Sequence, residues 1–187
     1  MRIIAGSARG RTFDAPQGRD TRPTLDRVRE NVFNILQMKV RGANVLDLFS
    51  GSGAMAFEAI SRGASAAVLV DCDRAANAVQ RQNAQKLRMQ EQCRILMCDW
   101  QLAVNQLKAQ GEKFDVVFLD PPYAMHDMTP VLDALRPLLT EEAVILLEHE
   151  AKTFPSTSDG FELYDNRKYG IAGVSFFRQW TTGEAEL

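Results

Sequence analysis

The sequence predicts an α/β protein built on one open, mostly parallel sheet. Three observations carry that prediction. From residue 44 onward, short apolar runs alternate with longer stretches of helical spacing. Strands joined by helices make βαβ units, and their sheet is covered on both faces. Each apolar run ends in an acid, so the same rim of the sheet repeats one chemistry. The last part changes character, because "GFELYDNRKYG" and "GVSFFRQW" read as two strands joined near Gly170 to Gly173. Such a pair makes an antiparallel edge hairpin.

Taken in order, "RIIAGSARGRTF" reads as two short strands punctuated by Gly6 and Gly10, and "APQGRDTRP" as a loop. A helix follows Pro23, with Thr24 or Asp26 as its cap and Leu25, Val28, Val32, Phe33, Ile35 and Leu36 at helical spacing. Then come strand "NVLDLF", helix "GAMAFEAISRG", strand "SAAVLVD" and helix "RAANAVQRQNAQKL". Strand "CRILMCD", helix "WQLAVNQLKAQG", strand "FDVVFLD", helix "MTPVLDALRPLL" with an interior proline, and strand "EAVILLEHE" complete the series. The expected architecture is a Rossmann-like doubly wound sheet with a small N-terminal hairpin and helix extension. Residues 1–22 are expected to form a basic appendage and residues 23–187 the main domain.

At 187 residues and 45% hydrophobic, the chain is long enough for one domain with a large core. Its net charge of −2 is unevenly spread. Residues 1–30 hold seven arginines against four acids, a local charge of +3, and the remaining 157 residues carry −5. A basic end on an acidic body suits an anionic partner. The three cysteines, Cys72, Cys93 and Cys98, lack CxxC spacing. They are expected to be reduced, buried thiols in a cytoplasmic protein. No apolar run reaches the roughly 18 residues of a membrane span, and "MRIIAGSARG" lacks a secretory core.

In doubly wound sheets ligands bind beyond the carboxyl ends of the strands, at the switch in strand order. Asp47, Asp71, Asp99 and Asp120 stand at four such ends. "DLFSGSGAMA" places Gly51 and Gly53 between a strand and a helix, in the GxGxxA spacing of a dinucleotide loop, with Asp71 twenty residues after Gly51. On that motif alone, a nicotinamide cofactor and S-adenosylmethionine both remain open. Three details favour S-adenosylmethionine. Asp47, four residues before Gly51, suits a cationic amino group and repels a pyrophosphate. Asp99 and Trp100 offer an acceptor and an apolar wall for adenine. The tip "LDPPY" has no use in hydride transfer.

That tip suits a planar exocyclic amine. The nitrogen lone pair is delocalised into the base ring, so the two N–H groups must be held to aim it. Asp120 and the Pro121 carbonyl are the two acceptors. Pro121 and Pro122 fix the backbone and offer no competing N–H. Tyr123 can stack on the base, a contact worth about 1–3 kcal/mol. The base must be unpaired or flipped out to enter.

"DLFSGSG" followed by "VFLDPPY" resembles the class I S-adenosylmethionine-dependent methyltransferases of nucleic-acid amines. "MRIIAGSARGR", "TRPTLDRVRENVFNIL", "DLFSGSGAMAFEAISRGA", "FLDPPY" and "RKYG" together resemble the RsmD family, bacterial guanine-N2 methyltransferases of 16S ribosomal RNA. The resemblance runs from residue 1 to about residue 180 and implies S-adenosylmethionine as cofactor. It implies cofactor contacts at Asp47, Phe49, Gly51, Gly53, Asp71, Asp99 and Trp100, and a catalytic tip at Asp120, Pro121, Pro122 and Tyr123. It implies RNA contacts at Arg9, Arg11, Arg22 and Thr24. The partner would be 16S rRNA, free or in the small subunit, and the protein a monomer with no metal and no membrane contact. Asp71 stands where the family usually has Glu, and Ala172 where it usually has Thr. An adenine-N6 methyltransferase of DNA and a non-catalytic RNA-binding module are the alternatives. His126 and Asn83 are expected at the surface, and His149 in a structural role.

Overall fold

The computed structural model describes residues 1–16, 23–122, 124–153 and 155–180. Among these, helix α1 (Pro23–Ile35) and the short α2 (Gln37–Val40) precede β1 (Asn44–Asp47). The alternation continues with α3 (Ala54–Ser61), β2 (Ala66–Asp71), α4 (Arg74–Leu87), β3 (Cys93–Met97), α5 (Trp100–Ala109), β4 (Phe114–Leu119), α6 (Thr129–Leu135) and β5 (Leu139–Glu150). The strands β6 (Phe161–Tyr169) and β7 (Ala172–Gln179) close the sheet as the expected hairpin. The sheet order is β3-β2-β1-β4-β5-β7-β6, with β1 to β5 parallel and β7 antiparallel to both neighbours.

The order follows from handedness. The chain steps outward from β1 to β3, then returns to lay β4 on the other side of β1. Right-handed crossovers run in opposite directions place their helices on opposite faces. So α1, α3 and α4 pack on one face with Val45, Val116, Phe118 and Leu146. Helices α5 and α6 pack on the other with Leu46, Val117, Leu119 and Leu147. The odd and even residues of each strand divide between the two cores, as a twofold side-chain period requires. The reversal between β1 and β4 opens the crevice in which a ligand binds.

The N-terminal segment differs from expectation. Its two strands reduce to one bridge, Arg2 to Thr12. Gly6 and Gly10 adopt φ of 85° and 80°, which fold residues 6 to 10 into turns. Arg9 and Arg11 therefore do not share a strand face. Both are exposed, and the Arg11 guanidinium donates to the Leu87 carbonyl at 3.2 Å. The segment is docked firmly all the same. Ile3, Ala8 and Phe13 are buried in the core of α1 and α3, and a buried Ile or Phe is worth about 1.5–3 kcal/mol. The fully buried Glu58 of α3 accepts the backbone N–H of Ile4 at 2.8 Å and of Ala5 at 3.0 Å. It also pairs with Arg62 at 2.7 Å and faces Arg29 at 3.8 Å.

Other expectations shift locally. Helix α1 starts at Pro23, so Thr24 and Asp26 both lie inside its first turn, and the Thr24 side chain lies outside the described residues. Proline is preferred at that first position because the missing N–H has no partner there anyway. Asp26 pairs with Arg29 at 3.0 Å. Helix α6 stops at Leu135, and Pro137 sits in a separate 3-10 turn, since proline removes a helical donor. Cys72 is exposed, and Cys93 and Cys98 are half-buried, because all three flank strand ends instead of strand centres. No helix of the described residues is long and apolar enough to cross a membrane.

Candidate active site

The glycine loop lies at the carboxyl end of β1 and is pinned from three directions. The Gly51 N–H donates to Asp71 Oδ2 at 2.8 Å. Gln80 of α4 donates to Ser50 Oγ at 2.9 Å and to the Gly51 carbonyl at 2.8 Å. Asn83 donates to the Ser52 carbonyl at 3.2 Å and to the Asp14 carbonyl at 2.9 Å, and accepts the Asp14 N–H at 2.8 Å. Asn83 is therefore not a surface residue. It is fully buried and ties the N-terminal segment to the loop. Asn77, Gln80 and Asn83 stand three apart on α4 and are all buried, and that spacing of polar residues on one helix face was the available sequence signal. Glu58, an acid in an otherwise apolar helix, was another.

The two glycines do different work. Gly51 lines a cleft of about 890 Å³ together with Asp47, Phe49, Ser52, Asp120 and Glu148. Gly53 has φ of 81°, and a Cβ there would lie 2.6 Å from the Phe57 ring and 2.7 Å from Leu69. It faces the core. Gly53→Val is accordingly expected to destabilise the fold, by about 3 kcal/mol or more from overpacking and backbone strain. Urea unfolding measures this, and a stability equal to wild type contradicts the packing reason.

Asp47 is the most perturbed acid of the cleft. It is buried, and its carboxyl is pushed up to about 8, first by burial and then by the charges of Asp120 and Asp71. The Ala56 N–H, 3.3 Å from Asp47 Oδ2, offsets part of this. A buried acid held at such a value lacks a countercharge among the described residues. Asp71 takes backbone N–H groups on both oxygens, Gly51 on one and Asp73 on the other at 2.9 Å. Each oxygen keeps a second lone pair for a ligand hydroxyl. Asp99 caps α5 through the Leu102 N–H at 2.8 Å, and Trp100 is half-buried beside it. Both stand at β3, two strands from β1, outside the cleft of Asp47.

Asp120 and Glu148 also wall a second cleft of about 700 Å³, which includes Pro121, Pro122, His126, Ile171 and Ala172. The first cleft thus holds the glycine loop, and the second opens toward the β6–β7 turn. Tyr123 and Arg22 lie outside the described residues. His149 bridges the Glu150 carbonyl and Ser175 Oγ, each at 2.8 Å, and lies against Gly173, a structural role.

The family described as conserved hypothetical protein 95 matches residues 1–178. Ribosomal RNA small subunit methyltransferase D of Escherichia coli K12 is 32% identical over 189 residues, covering all of this chain and 93% of that protein. The chain belongs to the RsmD family of methyltransferases. Solved structures agree. The Escherichia coli protein yhhF has a TM-score of 0.84 at 30% identity, covering 96% of this chain and 97% of its own. A hypothetical protein of Thermus thermophilus has a TM-score of 0.81 at 30% identity, covering 95% of this chain and 99% of its own. Both structures match this chain over nearly its whole length.

Proposed function

We propose that this RsmD-family chain transfers a methyl group from S-adenosylmethionine to the exocyclic N2 amine of a guanine in 16S ribosomal RNA. The observation that carries the reading is the common cleft. Asp120 of the Asp-Pro-Pro tip and the Gly51 loop wall one space at the switch between β1 and β4.

The residues present fit the cofactor. Asp47 is a buried acid without a countercharge among the described residues, suited to the ammonium of the methionine part, and Asp71 is an acceptor beside the loop, suited to ribose hydroxyls. Asp99 and Trp100 would receive the adenine. When bound, S-adenosylmethionine would supply an electrophilic methyl group on a sulfonium that becomes a neutral thioether. The chain's own work is orientation, whose effect on a bimolecular step is large. Asp120 accepts one N–H of the amine and the Pro121 carbonyl the other. Tyr123 stacks on the base. The base amine gains its positive charge only as the new bond forms, so Asp120 also stabilises that charge, and loss of one N–H proton from the methylated nitrogen then gives the neutral product.

Residues 1–22 act as an RNA-contacting appendage on the methyltransferase domain of residues 23–187. The substrate is 16S rRNA, free or in the small subunit, in the cytoplasm, and the enzyme works as a monomer. Arg9 and Arg11 are exposed on this segment, and Arg22 and Thr24 follow them in sequence toward α1. Each phosphate contact adds about 0.7–0.9 to the salt slope of binding. The double substitution Arg9→Ala with Arg11→Ala is expected to raise the KM for RNA and flatten its salt dependence, leaving cofactor affinity unchanged. Equal RNA binding across a salt series would move the RNA surface elsewhere.

The decisive experiment is transfer of tritiated methyl to undermethylated small subunits, followed by nucleoside analysis. Label in N2-methylguanosine is expected. Label in another nucleoside, or none, overturns the reading.

A further inference from the structure

The reaction above leaves Glu148 without a task. Strands β4 and β5 pair in parallel with Phe118 beside Leu146 and Leu119 beside Leu147. The next row beyond these pairs is Asp120 and Glu148. Strand side chains alternate in direction, so this row lies on the face of Phe118 and Leu146, the same face as Asp47, which pairs with Phe118. Three acids thus converge on one cleft. Two of them, Asp120 and Glu148, also form the wall shared with the second cleft.

The charge that acts on Glu148 is that of Asp120, and the cleft also holds Asp47, Arg29 and the N-terminal residue Met1. Asp120 and Asp47 face it from β4 and β1, and Arg29 reaches the cleft from α1 but is held by Asp26 and the Arg2 carbonyl. His126 lines the second cleft. Arg167 of β6 lies in the same row two strands away, paired with Asp165. Glu148 is pushed up to about 7, first by burial and then by the charge of Asp120. A carboxyl kept half-buried beside another acid costs free energy unless a donor meets it.

The chemistry of the two candidate bases separates here. On guanine, the N2 amine stands next to N1–H, so two donors face a pair of acceptors. On adenine, the N6 amine stands next to N1, which is an acceptor. A carboxylate welcomes the first edge and repels the second. We propose that Glu148 accepts the N1–H of the target guanine while Asp120 holds the adjacent N2 amine, making Glu148 the residue that selects guanine over adenine. The inference rests on the guanine-N2 reading above and deepens it. Sites built to hydrogen-bond a substrate group reject the analogue that lacks it far more strongly than apolar pockets reject a missing methylene.

The test uses small subunits reconstituted on transcripts that keep the target guanine or replace it with adenine. Transfer is measured at saturating S-adenosylmethionine between pH 5.5 and 9, a range of roughly two units about the titration of Glu148. Wild type is expected to show kcat/KM on guanine rising through pH 7, as Glu148 ionises, with adenine disfavoured by about 100-fold or more. Glu148→Gln presents both an acceptor and a donor. It is expected to lose the rising limb, to lower kcat/KM on guanine about tenfold at pH 8, and to narrow the preference over adenine by about tenfold. Cofactor affinity by calorimetry should stay within about threefold, a change below 1 kcal/mol, which a merely structural residue would not satisfy together with a lost pH limb. A Glu148→Gln enzyme that keeps both the limb and the preference overturns the assignment. No transfer to guanine by wild type would instead overturn the functional reading itself.

Discussion

Asp120→Ala is expected to lower kcat by about 10²–10³-fold, the range seen when one preorganised group that stabilises developing charge is lost, while S-adenosylmethionine still binds. The reason is location. Asp120 stands one residue beyond β4, where the glycine-loop cleft and the second cleft meet, and the loop's own hydrogen bonds do not involve it. Removing it takes away an acceptor for the amine and leaves the cofactor cradle intact. Cofactor affinity should rise slightly if it changes, because Asp120's charge is one of the causes that push Asp47 up. Asp120→Asn keeps one acceptor oxygen and should fall between wild type and Ala. Single-turnover transfer separates this from slow product release. Turnover of the Ala variant within about threefold of wild type, under 1 kcal/mol in barrier, contradicts the role of the tip.

Asp47→Asn is expected to weaken S-adenosylmethionine binding by about 10–150-fold, the loss of a hydrogen bond to a charged group, and at the same time to stabilise the free protein. The sign follows from linkage. The Asp47 pKa is raised from 3.8 to about 8 by folding. Between those values the native state binds a proton that the unfolded chain does not, so this group makes stability fall as pH rises from about 4 to about 8. The amide has no proton to lose and escapes that fall. Thermal unfolding at pH 8 should therefore give a higher Tm for the variant, by roughly 2–4 °C for each kcal/mol gained, and at pH 4 the difference should shrink. Binding carries a second signature. An ammonium beside Asp47 favours its carboxylate, so wild type releases a proton on binding at pH 7 and gains affinity with pH up to about 8. Calorimetry in two buffers of different ionisation heat measures the proton, and Asp47→Asn should release none from this position. An unchanged affinity, or no proton release by wild type, removes Asp47 from the cofactor site.

Much of the fold was legible in the residue order. Alternating apolar runs and helices required parallel strands covered on both faces, and the acids closing each run required a polar rim. The pairing of Gly51 with Asp71, now seen as a hydrogen bond of 2.8 Å, was already visible as a spacing of twenty residues. These features are local, because periodicity and turn residues act over a few positions of the chain.

What the chain order could not reveal were contacts between residues far apart in sequence. Asn83 reads as a polar residue near a helix end, yet it is buried because Asp14, 69 positions away, folds back onto it. Gly53 reads as a ligand-contacting glycine, yet Phe57 and Leu69 occupy the space beside it. "RIIAGSARGRTF" reads as two strands, yet turns at Gly6 and Gly10 leave a single bridge between Arg2 and Thr12. Glu148 shows the difference most directly. In sequence it is one of three charged or titratable residues in "EHE". Only the parallel register of β4 and β5 sets it beside Asp120, and burial in that shared wall, together with the charge of Asp120, raises its pKa. Composition can supply an acid, but its protonation depends on the solvent and charges that the folded chain places around it.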